Sequence, residues 1–98
     1  MAGEFIPIDE AKVMTKAWRV AFPDSTKAGM ADSVKIQELL SQPGCVGMRM
    51  YFAINEDNEK TLVLVGTDED GNDLYNGLIL DKVKLCPNHC PSPNPLNG

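Results

Sequence analysis

The spacing of apolar residues changes from a helical period to an alternating one near the middle of this 98-residue chain. Apolar side chains in residues 9–22 recur every three or four positions, which is typical of one face of a helix. In residues 46–54 they occupy every second position, which predicts a strand with one buried face. We therefore expect an α+β fold with one small core.

Boundary residues mark two helices in the N-terminal half. The acidic residues that open residues 9–22 suit a helix N-terminus, and Pro23 ends that helix. After a loop over residues 23–31, a second and shorter helix begins near Asp32 and ends before Gly44. Both predicted helices thus precede the strands.

The second half of the chain alternates strands with polar turns. Three strands are predicted, over residues 46–54, 61–67 and 78–80, the last continuing through Val83 and Leu85. Polar turns separate them at residues 55–60 and 68–73. Because such short connections join antiparallel strands, the sequence predicts two N-terminal helices packed on a three-stranded antiparallel β-meander.

Residues 1–85 form the predicted single domain, and residues 86–98 form a Pro-rich C-terminal tail. Four residues of this tail are prolines, which neither a helix interior nor a central strand tolerates. We expect the tail to be extended or disordered.

The predicted central strand, residues 61–67, is apolar on both faces. Two helices can cover only one face of the sheet, so the other face needs another layer. Homodimers are the commonest oligomers, and we expect self-association through the uncovered sheet face or strand edge. Arg49 and Tyr51 suit such a contact because arginine and aromatic residues are enriched at interfaces.

Composition excludes several classes of partner. The formal net charge is −5, and an acidic chain without a basic block repels phosphate backbones, which argues against nucleic-acid binding. No apolar run approaches the roughly 18 residues of a membrane span, so no membrane partner is expected. The odd number of cysteines, three, favours a reducing compartment, and the cytoplasm is the predicted location.

Cys86, His89 and Cys90 lie in one short segment, and Cys45 lies far upstream. Thiolates and imidazole are ordinary zinc ligands, so these four residues are the candidate metal site. Their spacing departs from the usual zinc motifs, and no cofactor is predicted. Exposed tail thiols beside a buried Cys45 are the favoured interpretation, followed by a disulfide between Cys86 and Cys90, then zinc, then redox catalysis.

Other sequence patterns give no catalytic or calcium site. Counted from Asp68, the glycine of the acidic turn falls at position 4 and position 12 is Ile79, so the turn does not match an EF-hand. The chain has one histidine, no Gly-rich phosphate loop and no nucleophile elbow. A reactive Cys45 is the remaining catalytic option. We predict that the protein is not an enzyme.

Three motifs occur in the second half of the chain: GxRxYF at 47–52, LVLVGxDxxGND at 62–73 and CPxxC at 86–90. In these motifs the chain resembles a set of small proteins from Bacteroidetes. The resemblance implies that the CPxxC ending is native, and it implies no activity, ligand or catalytic residue. His89 is outside the shared pattern, which weakens the zinc interpretation.

The sequence thus predicts a small binding or interaction protein, a homodimer without catalytic activity whose protein partner is unidentified. The alternative is a thiol- or zinc-dependent protein that uses the cluster of Cys86, His89 and Cys90.

Overall fold

The computed structural model describes residues 2–98 and has an α+β fold with two helices and antiparallel strands. The elements in chain order are α1 (Ile8–Ala21), β1 (Ala28–Met30), α2 (Ser33–Leu40), β2 (Gly47–Ile54), β3 (Lys60–Thr67), β4 (Ile79–Leu80) and β5 (Lys84–Cys86). The predicted fold class is therefore confirmed.

The main sheet has three antiparallel strands in the order β2-β3-β4. β2 and β3 pair along their whole length, from Gly47 opposite Thr67 to Ile54 opposite Lys60. β4 adds only two residues on the other side of β3, with Leu80 opposite Leu64. The predicted meander and its central strand are both present, although the third strand is short.

A second sheet, which the sequence did not predict, pairs β1 with β5. Ala28 lies opposite Cys86 and Met30 opposite Lys84, so a segment expected to be loop is partly strand. The prediction that the third strand continues through Val83 and Leu85 is also wrong, because Leu85 belongs to β5, which pairs with β1. Lys82 has a φ of 56°, a left-handed conformation that redirects the chain between β4 and β5.

Helix α2 packs on the main sheet at β3 and β4. Leu39 is its buried residue, with only 1% of its surface exposed. The side chain of Gln42 fixes the end of the helix, since its Nε2 donates to the Leu39 carbonyl at 2.7 Å and its Oε1 accepts from Leu78 N at 2.8 Å. The predicted packing of a helix on the sheet is thus observed for α2.

Helix α1 has no buried residue and is joined to the rest of the molecule through its C-terminal end. Trp18 Nε1 donates to the Thr26 carbonyl at 2.9 Å, and Arg19 Nη1 donates to the Leu96 carbonyl at 2.5 Å. The ammonium group of Lys60 on β3 lies 5.1 Å from the centre of the Phe22 ring. The apolar stripe predicted for this helix therefore exists, but most of it faces solvent.

The buried apolar core is small. It consists of Leu39, Leu64, Val65, Leu85 and Cys86. Of the residues expected in the core of the central strand, Leu64 and Val65 are buried and Val63 is half-buried. β3 is therefore the element around which α2 and both neighbouring strands are organised.

We predict that Leu64→Asp lowers the free energy of unfolding by more than about 3 kcal/mol, because it places an unpaired carboxylate among apolar side chains. Denaturant titration at a fixed protein concentration measures this loss. Val34→Asp is the matched control, since Val34 is 62% exposed in the first turn of α2, where a negative charge is tolerated. Equal effects of the two substitutions would contradict the central position of Leu64.

Candidate functional site

The eight-residue strand β2 forms an open edge of the main sheet. Among residues 2–98, β3 is the only strand that pairs with it. Open edges present unpaired N–H and C=O groups, and soluble proteins commonly protect them with lysine, proline or bulges. β2 contains neither lysine nor proline, and its pairing with β3 is continuous. This strand is therefore available for further pairing.

The direction of the backbone groups on β2 follows from its ladder with β3. Asn55 N donates to the Glu59 carbonyl at 3.0 Å just beyond the strand, which extends the register of the pair. Since bonded and non-bonded pairs alternate in an antiparallel ladder, the odd-numbered residues of β2 bond to β3. The even-numbered residues, Met48, Met50, Phe52 and Ile54, direct their N–H and C=O groups away from β3.

The same even-numbered residues carry an apolar surface on one face of the sheet. Phe52 is 90% exposed, Ile54 68% and Met50 53%. Side chains of this size are seldom left so exposed in a row, and contiguous apolar patches mark interaction sites. An apolar surface thus accompanies the free backbone groups.

This surface continues into a groove of 510 Å³ between the main sheet, α1 and β1. Phe52 and Leu62 line the groove on the sheet side, and Trp18 and Gly29 line it on the other. A Cβ atom at Gly29 would lie 3.0 Å from Val83 Cγ2, so glycine permits the close approach of β1 there. We call Met50, Phe52, Ile54 and this groove the apolar face.

The opposite face of β2 carries a polar network around Asp73. One carboxylate oxygen of Asp73 accepts a hydrogen bond from Arg49, and the other accepts one from the Tyr51 hydroxyl. Arg49 Nη1 also donates to the Gly71 carbonyl at 3.1 Å. These contacts tie the turn after β3 to β2.

The network shifts the pKa of each of its members. The hydrogen bond from Tyr51, followed by that from Arg49 and the charge of Arg49, lowers the pKa of Asp73, against an opposing effect of desolvation. The hydrogen bond to Asp73 is the main cause that raises the pKa of Tyr51 above its ordinary value, and it also raises the pKa of Arg49. At neutral pH the three groups therefore carry one positive and one negative charge.

The turns at the two ends of β3 share one hydrogen-bonding pattern. Asn55 Oδ1 accepts from the backbone N–H groups two and four residues later, at 3.0 and 2.9 Å. Asp68 Oδ1 does the same in the second turn, at 3.0 and 2.9 Å. The fourth residue of each turn, Asn58 or Gly71, is left-handed, with φ of 61° and 81°. Asn55 and Asp68 thus have the same structural role, each holding its turn closed.

Cys86 and Cys90 are joined in a disulfide, with their Cα atoms 4.5 Å apart. Cys86 is 2% exposed and belongs to β5, and the Leu85 carbonyl accepts a hydrogen bond from His89 N at 2.8 Å. The His89 side chain lies at a polar groove of 770 Å³ between the turn after β2 and the β5 segment. Three of the predicted zinc ligands are therefore in one turn, two of them as a bonded pair. The favoured interpretation of exposed, free tail thiols is wrong, and the second one, the disulfide, is present.

Cys45 is elsewhere in the molecule. Its Sγ donates to the Gly47 carbonyl at 3.3 Å and lies against Gly66 of β3, whereas the β1–β5 sheet lies against Leu62. Four residues of strand separate these positions by about 13 Å. Within residues 2–98 no group of three or more His, Cys, Asp or Glu side chains is placed to hold a metal ion. Zinc binding by the reduced cysteines stays a prediction.

Comparison with protein-family models, curated proteins and solved structures finds no match to this chain. In the part of the chain that the structure describes, no helix combines the length and apolarity needed to span a membrane.

Sequence reasoning singled out Arg49 and Tyr51 but missed Asp73 as their shared partner. Asp73 ends the turn that leads from β3 to β4, and nothing in its local sequence shows that its side chain reaches β2.

We predict that Asp73→Asn lowers the pKa of Tyr51 toward its ordinary value of about 10, because the amide is a weaker acceptor than the carboxylate. A raised pKa means that Tyr51 contributes stability below about pH 10 and that this contribution is lost as the pH rises through the raised pKa. Absorbance of the phenolate measures the titration in a Tyr75→Phe background, where Tyr51 is the remaining tyrosine. An unchanged titration in Asp73→Asn would contradict the network.

Proposed function

We propose that this protein is a small binding protein that acts as a homodimer, without a catalytic activity or cofactor of its own. The observation that carries the proposal is the amount of surface that a single copy leaves exposed. That surface carries many large apolar side chains, including those of the apolar face and of the stripe of α1.

A single copy is less compact than a folded monomer of its size. Its accessible surface is 7645 Å², whereas a monomeric protein of this mass exposes about 5,500 Å². Its radius of gyration is 14.8 Å, against about 13 Å for a compact domain of the same length. The excess area is therefore about 2,000 Å² per copy.

This excess is large enough for a stable dimer. A standard protein–protein interface removes about 800 Å² from each partner, and obligate homodimers remove more and are more apolar. Among residues 2–98, twenty large apolar side chains are exposed, including Val13, Met14 and Val20 on α1. A second copy of the same chain is the simplest source of matching apolar surface.

The finer architecture and the relationship to other proteins form part of the same proposal. We propose that both helices pack on the three-stranded sheet in the dimer, where α1 gains the apolar contacts that its C-terminal anchors alone do not provide. We also propose the relationship to small Bacteroidetes proteins, a binding role with an unidentified protein partner, and a Pro-rich tail that follows the domain.

The polar groups of the site support binding rather than catalysis. Arg49, Tyr51 and Asp73 bond to one another, so their donors and acceptors are largely used within the network. The network fixes the orientation of Arg49 and Tyr51 on β2. The compartment is also a proposal: the cysteine count favours the cytoplasm, while the bonded pair of Cys86 and Cys90 favours an oxidising location.

We predict that light scattering at micromolar concentration gives twice the mass of one chain, and that dilution lowers the measured mass. The melting temperature should also rise with protein concentration, because association stabilises the folded state by mass action. A monomer mass at all concentrations, with an unchanged melting temperature, would remove the proposal.

The alternative function is that of a thiol- or zinc-dependent protein, which the clustering of Cys86, His89 and Cys90 favours. In its oxidised form the pair closes a short loop, and a disulfide in such a loop contributes about 2 kcal/mol in the chain-entropy description. The loop links β5 to the tail, so its redox state affects the end of the β1–β5 sheet.

We predict that reductant lowers the free energy of unfolding by up to about 2 kcal/mol and that a chelator has no effect. The double variant Cys86→Ser/Cys90→Ser is the control, and its stability should not respond to reductant. Elemental analysis and free-thiol counting accompany these measurements. Stoichiometric zinc in protein purified without added metal, together with destabilisation by chelator, would favour the alternative function.

A further inference from the structure

We propose that β2 pairs with β2 of a second copy in antiparallel orientation, with the twofold axis at Tyr51, to form one continuous six-stranded sheet. This inference rests on the proposed self-association and specifies the partner strand and its register.

β2 is the edge of the main sheet that is better suited to pairing with a second copy. The main sheet has two edges, β2 and β4, and β4 is only two residues long. β2 is eight residues long and has no lysine or proline, and its one charged side chain, Arg49, is paired with Asp73. A homodimer formed through the longer edge gains the larger number of backbone hydrogen bonds.

The ladder with β3 determines which residues of the two β2 strands can lie opposite each other. The free N–H and C=O groups of β2 belong to its even-numbered residues, as the ladder with β3 requires. Two such strands form hydrogen bonds only when even-numbered residues lie opposite even-numbered residues. The twofold axis must therefore pass at a residue and not between two residues.

Among the possible positions of the twofold axis, Tyr51 pairs the most outward-facing residues. An axis at Tyr51 places Met50 opposite Phe52 and Met48 opposite Ile54 of the second copy, so all four outward-facing residues are paired. An axis at Met50 places Ile54 opposite Val46, which is outside β2. The Tyr51 axis therefore uses more of the available hydrogen-bonding groups.

Side chains and charges agree with the same register. The pairing of Met50 with Phe52 of the second copy joins the two apolar faces into one surface, and such cross-strand apolar pairs stabilise sheets. Arg49 lies opposite the small Ala53 of the second copy. An axis at Arg49 would bring two guanidinium groups together, which is unfavourable.

The experiment is oxidative cross-linking of variants that each have one free cysteine, Met50→Cys, Tyr51→Cys or Ala53→Cys, in a Cys45→Ser background with the native disulfide intact. At the axis the two Tyr51→Cys residues form a non-hydrogen-bonded pair with Cα atoms about 4.5 Å apart, close enough for a disulfide. Ala53→Cys is the matched control on the same face, where the two cysteines are about 14 Å apart along the strands. We expect a covalent dimer with Tyr51→Cys and none with Ala53→Cys, and peptide mapping confirms the bonded residues.

A second measurement covers the case in which loss of the tyrosine disturbs folding. Met50→Pro removes an outward-facing N–H group and leaves the β2–β3 ladder intact, so it should prevent association while circular dichroism stays close to that of the parent. Val13→Lys is the comparison at the exposed stripe of α1, where proline would break the helix. We expect Met50→Pro to be monomeric, and we expect Val13→Lys to associate more weakly than the parent while still cross-linking at Tyr51→Cys.

The outcomes separate this inference from the function on which it rests. A monomeric parent protein would overturn both. A dimeric parent with cross-linking at Met50→Cys instead of Tyr51→Cys would overturn the register. A dimeric parent that persists in Met50→Pro and cross-links at neither position would overturn edge pairing and leave self-association in place.

Discussion

The pairing of β2 with β3 is the interaction on which the other parts of the structure depend. It runs without interruption over both strands and is closed at one end by the Asn55 turn. β3 then carries β4 on its other side and α2 on one face. Because β3 is paired on both sides, it is the most buried element, and β2 becomes the edge. The strand order thus explains both the burial of β3 and the exposure of β2.

The fold elements that the sequence predicted correctly are those with a clear apolar pattern. α1, α2 and β2 have a regular apolar period, β3 is a continuous apolar run, and each lies close to its expected bounds. The β1–β5 sheet could not be predicted, because Ala28-Gly29-Met30 has no alternation or β-branched residue that marks a strand. Its pairing depends on tertiary contacts, including the space at Gly29 and the turn at Lys82.

The candidate site was predictable in part for a similar reason. Residue type and alternation identified Arg49 and Tyr51 as interface candidates on the strand. Asp73 is more than twenty residues away in the sequence, and only the sheet register brings its carboxylate between them. The disulfide of Cys86 and Cys90 was one of several options, because spacing alone allows a loop to close and does not show that it does.

A single copy leaves two features unsatisfied: the unpaired backbone groups of β2 and the exposed apolar stripe of α1. Pairing at β2 satisfies the backbone groups of this strand and covers part of the apolar face. Because a strand edge is narrow, such pairing buries little of the exposed side-chain area. The excess of about 2,000 Å² per copy is larger than a single strand pair can cover. Since α1 is anchored only near Trp18 and Arg19, its N-terminal part can contact a second copy without breaking the main sheet. A dimer that satisfies both demands therefore joins the two sheets at β2 and packs each α1 against an apolar surface.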